Sequence, residues 1–340
     1  MLPPIGASCA FANVSRTSYH NVTHDALVLP AESVHARRDA EGLAVLTAFS
    51  MPVYECFRCI VASVNNTLAF NSGAGIIIHF NAHIRSADDE QPYLTGMSQS
   101  LSERFGNSRM IINHDRVHAE AKGAGILLAH MSNFCRAETA WPNFVSFCTL
   151  SADIVFVKPH YAAFMRAYDG VAGSRVWLAR GARGHPERAT RDPHLLAQML
   201  SSGLPTANVH DPARSPIRDM ALDGLCWRRT IFERLKLALP FTLSRSYPAD
   251  GIYPATLLTP LLNSTPCGNR PAEAPQDVLT SPRNRSACAR SLVAMLIAHG
   301  SWKQQVDGCR DPASRCYAIK GVHGIDHPAR LYVARGFVAA

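Results

Sequence analysis

The feature that most constrains this chain is an alternation of short, wholly apolar runs with stretches of helical periodicity. Gly75-Ile76-Ile77-Ile78, continued by His79-Phe80, is apolar at four successive positions, which a strand tolerates when both faces of its sheet are covered. The stretch before it sets Ile60, Val64 and Leu68 on one helical face. The pattern then recurs. A short helix is expected over 98–105, and Arg109-Met110-Ile111-Ile112-Asn113 reads as a second buried strand. Gly123-Ala124-Gly125 opens a helix running through Ile126 to Met131. Phe144 to Leu150 is β-rich, Ser151-Ala152-Asp153 interrupts it, and Ile154-Val155-Phe156-Val157 resumes it. Pro159 stands where a helix begins, and 160–168 fits a short helix ended by Gly170. Such alternation predicts an α/β fold: a doubly wound, Rossmann-like mixed sheet flanked by helices, in a single domain.

The ends and connections are less regular. Residues 1–50 are polar and weakly periodic, the mark of an N-terminal extension with little core, so the organised domain is expected over 51–340. Within it, 171–220 and 264–286 are rich in Arg, Pro and Gly and read as loops. Trp227 to Leu239 has Ile231, Leu235 and Leu239 on one face, predicting an amphipathic helix. A further helix is expected from Ala287 to His299, stopped by Gly300.

With 47% apolar and 18% charged residues among 340, the chain can bury a sizeable core, which excludes a disordered scaffold. No run approaches the roughly 18 apolar residues of a membrane span. The start, Met1-Leu2-Pro3-Pro4, lacks the basic-then-apolar pattern of a secretory leader, so membrane attachment is expected only through an anchor not visible in this chain. The formal net charge is +8, from 34 basic and 26 acidic residues. The Arg are spread along the chain rather than striped with aromatics, which speaks against a nucleic-acid partner. The excess does favour an anionic ligand, which can be as small as a diphosphate. Cys56 and Cys59 form a lone Cys-x-x-Cys without a second pair, so no metal site is expected. Asn-x-Ser/Thr sequons begin at Asn13, Asn21, Asn65, Asn263 and Asn284; they point to a secretory lumen, where the ten Cys are free to form disulfides.

Several degenerate pieces occur in a telling order. Ser63-Val64-Asn65-Asn66-Thr67-Leu68 precedes Ile76-Ile77-Ile78-His79-Phe80-Asn81. Ile111-Ile112-Asn113-His114-Asp115-Arg116-Val117 then leads to Gly123-Ala124-Gly125. After Ser151-Ala152-Asp153 come Asp223-Gly224, Tyr247-Pro248-Ala249-Asp250-Gly251-Ile252-Tyr253-Pro254-Ala255-Thr256, and Ala318-Ile319-Lys320-Gly321-Val322-His323 with Arg330 behind. In this order the pieces resemble the core-2/I-branching glycosyltransferases and their xylosyltransferase-like relatives, over about residues 56 to 335. The resemblance implies a GT-A-like fold, a UDP-sugar donor, inversion at the anomeric carbon without a divalent metal or other cofactor, and residence in the Golgi lumen. The acceptor would be a glycan or glycoprotein.

The chemistry assigns roles to the matching residues. A metal-free site must hold the departing diphosphate with fixed cations, and Lys320 and Arg330 match the family's C-terminal basic segment. His79 and Asn81 end the strand whose family counterpart lines the nucleotide, with Asn81 where an Asp is usual. Gly123 and Gly125 allow a donor phosphate to approach a helix start, and Arg116 stands between these segments. Asp153, Asp223 and, more weakly, Glu187 are candidates for acceptor contacts. An inverting transfer also needs a carboxylate to take the acceptor proton. The family carries an acidic pair there; this chain reads Asp250-Gly251, leaving Asp250 as the candidate base and an inactive sugar- or nucleotide-binding relative as the alternative. Because no metal is expected, EDTA should leave any transfer rate unchanged; a rate abolished by EDTA and restored by manganese would refute this.

Overall fold

The computed structural model describes residues 44–53, 57–80, 87–106, 108–114, 124–172, 189–211, 215–218, 222–238, 249–262, 286–288, 293–295, 302–312, 314, 316–323 and 326–338. Four parallel strands form the centre: β1 (Thr47–Val53), β2 (Ala74–Phe80), β3 (Met110–Asn113) and β4 (Ser146–Thr149). They lie in the order β3-β2-β1-β4, with Thr47 of β1 opposite Ala74 on one side and Ser146 on the other. The sheet continues through β7 (Leu225–Arg228), antiparallel to β4, then β6 (Gly170–Ala172) and β8 (Ser286–Cys288), giving seven strands. A second sheet of three strands joins β5 (Val155–Phe156), β10 (Ala318–Lys320) and β9 (Val293–Met295). The architecture is thus α/β with a mixed sheet flanked by helices, compatible with a Rossmann-like fold.

β1 and β2 are buried along both faces, as the apolar run of β2 requires. On one face, α3 (Ala124–Ala140) crosses β1 and β2, with α6 (Arg229–Ala238) and α7 (Ala249–Leu258) beside it. Phe134 of α3 meets Phe147 of β4 and Phe232 of α6, each with ring centroids 5.1 Å apart. The other face is covered by α1 (Phe57–Phe70), β5 and α4 (Tyr161–Arg166). There Phe49 packs on Phe156 at 5.8 Å and Phe156 on Tyr161 at 5.5 Å. A buried disulfide, Cys148–Cys226, ties β4 to β7, and Cys309–Cys316 closes the turn after α8 (Trp302–Arg310). Cys59 and Cys135 are also disulfide-bonded.

Several sequence expectations are corrected. Organised structure begins before residue 50, because β1 is the innermost parallel strand; Thr47, Ser50 and Pro52 break its apolar run and hide it. Trp227 lies in β7 rather than opening the helix that follows, its indole filling the space beside Gly170. The helix expected over 98–105 is the end of the longer α2 (Ala87–Phe105). The stretch read as loop over 171–220 contains α5 (Pro193–Ser201), started by Asp192, whose carboxylate accepts from His194 and Leu195 amides, and by Pro193. The helix expected over 287–299 is instead strands β8 and β9, which pair with β6 and β10. A short apolar run carries no reliable period of its own, and neighbouring strand edges decide it. No helix among the described residues is long and apolar enough to cross a membrane.

The close approach of α3's end to the sheet yields a test. A Cβ on Gly75 would stand 2.5 Å from the ring of Trp141, which is buried and donates its indole N–H to the Ser108 carbonyl. Gly75→Ala should therefore destabilise the fold by about 1–3 kcal/mol, seen as a lower denaturant midpoint at unchanged slope. An unchanged midpoint would mean that Trp141 is not held against β2.

Candidate functional site

The strand order fixes where a site can form. From β1 the chain passes to β2 and β3 on one side, while β4 lies on the other, so the connections leaving the carboxyl ends of β1 and β4 diverge. Open α/β sheets bind ligands at this reversal. Three segments far apart in sequence meet there. After β4 the chain turns through Ser151-Ala152-Asp153, with the Leu150 amide held by the Ser50 carbonyl at 2.8 Å. β7 runs the opposite way, so Asp223-Gly224 lies at the same edge, the Gly224 amide donating to Thr149 at 2.7 Å. The end of β10 arrives beside them, the Val322 amide donating to the Asp153 carbonyl at 3.1 Å.

Each segment delivers a charged side chain. Lys320 Nζ forms an ion pair with Asp223 Oδ2, both side chains about one-fifth exposed. Asp153 is buried; its Oδ1 accepts from the Ser151 hydroxyl and its Oδ2 lies 3.8 Å from Nε2 of the exposed His323. Gly224 (φ +76°) and Gly321 (φ +91°) follow directly after Asp223 and Lys320 in left-handed backbone, which glycine adopts at little steric cost. The Asp223 turn is anchored from below. Tyr161 donates its buried hydroxyl to the Gly224 carbonyl, and Thr149 donates to Leu222. Burial pushes the Tyr161 phenol well above its ordinary range, so it remains a donor.

Beneath this edge, on the α3 side, lies a buried polar network. Ser50 Oγ is 2.7 Å from His130 Nδ1 and accepts from Asn133 Nδ2 at 2.9 Å. Asn133 also donates to the Ile77 carbonyl, and its own oxygen accepts from Asn113, which donates to Ser132 as well. Burial drives the His130 pKa down to about 3; the Asp223 charge opposes this and His79 adds to it. His130 is therefore a neutral, fixed dipole behind Asp223.

The structure brings Asp153, Asp223 and Lys320 together at one edge. His79 stands at the end of β2 but is fully buried. Gly125 is the second residue of α3. Arg330 departs from its expected place: on α9 (Pro328–Val338) it is buried, and its guanidinium donates to the carbonyls of Ala152 (2.7 Å) and Val322 (3.1 Å) and to Ser63 Oγ (3.1 Å). It ties the Asp153 turn to the Val322 segment from inside. The backbone of Asp250 lies in the first turn of α7; its side chain, and Asn81, Arg116, Gly123 and Glu187, lie outside the described residues. Sequence reasoning assigned no role to Ser50, His130, Asn133, Ser151 or His323. The one available signal was the spacing of His130 and Asn133, one helical turn apart in the helix after the Gly123-Ala124-Gly125 motif.

Among the described residues no group of three or more His, Cys, Asp or Glu is placed to hold a metal ion. Lys320 is the cation at this edge whose charge is met by a side chain rather than by carbonyls, and it can hold an anion. Asp153 and Asp223 can accept from hydroxyls. No protein-family profile matches the chain, and no curated protein matches it significantly.

His130 gives a pH signature. Its folded-state pKa lies below the unfolded value of 6.5, so between those limits the unfolded chain binds the extra proton. Stability should fall as pH drops below 6.5 towards 3, by about 1.4 kcal/mol per pH unit from this group. Denaturant unfolding of wild type and His130→Gln checks this. The variant should lose that slope, and an identical slope in both would contradict the neutral buried imidazole.

Proposed function

We propose that this chain is an inverting, metal-independent glycosyltransferase of GT-A-like fold. It moves a sugar of the GlcNAc or xylose class from a UDP donor to a hydroxyl of a glycan or glycoprotein. One observation carries the reading: Lys320, half-buried at the carboxyl edge where the strand order reverses, is held there by the carboxylate of Asp223 from a distant segment, with the Asp153 turn alongside. A leaving diphosphate gains negative charge as the glycosidic bond breaks, and a fixed ammonium in a partly desolvated site stabilises that charge most when it is greatest. Asp153, backed by Ser151, and Asp223 are acceptors of the kind that orient sugar hydroxyls. The resemblance of Tyr247–Thr256 to the family's acidic segment nominates Asp250 as the base. The Cys148–Cys226 and Cys309–Cys316 bridges fit an oxidising compartment, and with the sequons support the secretory lumen as its place.

A second reading has its own support. Gly251, at the expected second acidic position, is buried in α7 and supplies no carboxylate. An inactive relative that holds a nucleotide sugar would show this.

Calorimetric titration with UDP tests the first reading. Lys320→Ala should weaken UDP by about 10- to 100-fold, the equivalent of about 1.5–3 kcal/mol for a hydrogen bond to a charged group. Equal affinity in both proteins would remove Lys320 from the donor site. Incubation with UDP-GlcNAc, UDP-xylose and UDP-glucuronate then separates the readings, since UDP binding without release of UDP from any donor favours the inactive relative.

A further inference from the structure

We infer that Asp223, in place of the Asp250 that the resemblance nominates, is the group that takes the acceptor's proton, and that Lys320 keeps it masked until the donor arrives. The inference rests on the glycosyl-transfer reading and assigns a step within it. Lys320 does not present an unengaged ammonium: its Nζ is already paired with Asp223 Oδ2. An incoming diphosphate, with greater charge than one carboxylate, must compete for that ammonium. When Lys320 turns to the phosphate, Asp223 Oδ2 loses its ion-pair partner and is open to accept from the acceptor hydroxyl.

The surroundings suit that role. Asp223 is about one-fifth exposed, so a hydroxyl can reach it. Its backbone is fixed by the left-handed Gly224, by the Gly224 amide on Thr149, and by Tyr161 on the Gly224 carbonyl. The groups facing it are Lys320 and, from α3, His130, which is buried and supplies no compensating positive charge. Release of Lys320 is thus not made good by a second cation among the described residues facing it. The turn therefore holds still while its ion pair opens.

In the step itself the acceptor oxygen bonds to the anomeric carbon as the bond from that carbon to the diphosphate breaks. The acceptor's proton passes to Asp223, and the electron pair of the broken bond leaves on the diphosphate, whose charge Lys320 holds. Donor binding and base activation are then one event, and Gly251 costs the chain no essential carboxylate.

The test compares wild type, Asp223→Asn and Asp223→Glu, using UDP and inorganic pyrophosphate as probes and UDP-GlcNAc and UDP-xylose as donors. With the competing carboxylate neutralised, Asp223→Asn should bind UDP and pyrophosphate about three- to tenfold more tightly. It should release UDP from the donors at least about 100-fold more slowly, as expected for loss of a general base. Asp223→Glu should recover part of that rate, with melting curves confirming that each variant is folded. Unchanged or weaker binding by Asp223→Asn, or turnover near the wild-type rate, would overturn the assignment while leaving the glycosyl-transfer reading in place. No release of UDP by wild type also overturns it. If neither wild type nor Asp223→Asn binds UDP or pyrophosphate, the glycosyl-transfer reading falls and takes the inference with it.

Discussion

The pairing of β1 with β2 on one side and with β4 on the other is the constraint on which the rest depends. Because all these strands run the same way, their carboxyl ends share one edge, and because the order reverses at β1, the connections there part instead of covering it. The antiparallel β7 then brings Asp223-Gly224 back to that edge, and β10 brings Lys320. A register shift of one residue in β7 would turn the buried Trp227 to the opposite face and part Cys148 from Cys226, so hydrophobic burial and the disulfide hold the geometry in place.

The ionisable groups divide by depth. Lys320, Asp223 and His323 reach solvent, whereas Arg330 and His130 do not. A buried guanidinium is costly unless its donors are met. The two terminal nitrogens of Arg330 offset that cost through two carbonyls and a hydroxyl, joining the turn after β4 to the segment after β10. His130 avoids the cost by staying neutral within hydrogen bonds from α3 and the strands. These interior groups make the edge rigid, leaving the Lys320–Asp223 pair as the part that can answer to a ligand.

The sequence made the parallel centre legible because buried parallel strands must be apolar on both faces: Ile76-Ile77-Ile78 and Met110-Ile111-Ile112 read correctly for that reason. It concealed β1, whose Thr47, Ser50 and Pro52 look like loop residues until the polar contacts of Ser50 are seen. The short strands over 286–295 were equally hidden, since three-residue strands depend on the edges they join. At the site, Asp153, Asp223 and Lys320 were legible as residue types in motif order. Their meeting was not, because 97 residues separate Asp223 from Lys320 and only the sheet topology closes that distance. The place of Arg330 was not legible either, because an Arg near a basic motif reads the same whether it faces a ligand or two internal carbonyls.

The most direct measurement of the account is a crystal structure of the chain with UDP bound. Diphosphate oxygens are expected within hydrogen-bonding distance of Lys320 Nζ at the carboxyl end of β4, with the Asp223 carboxylate parted from the ammonium. UDP lodged elsewhere on the molecule, or bound while the Lys320–Asp223 pair stays closed, would contradict it.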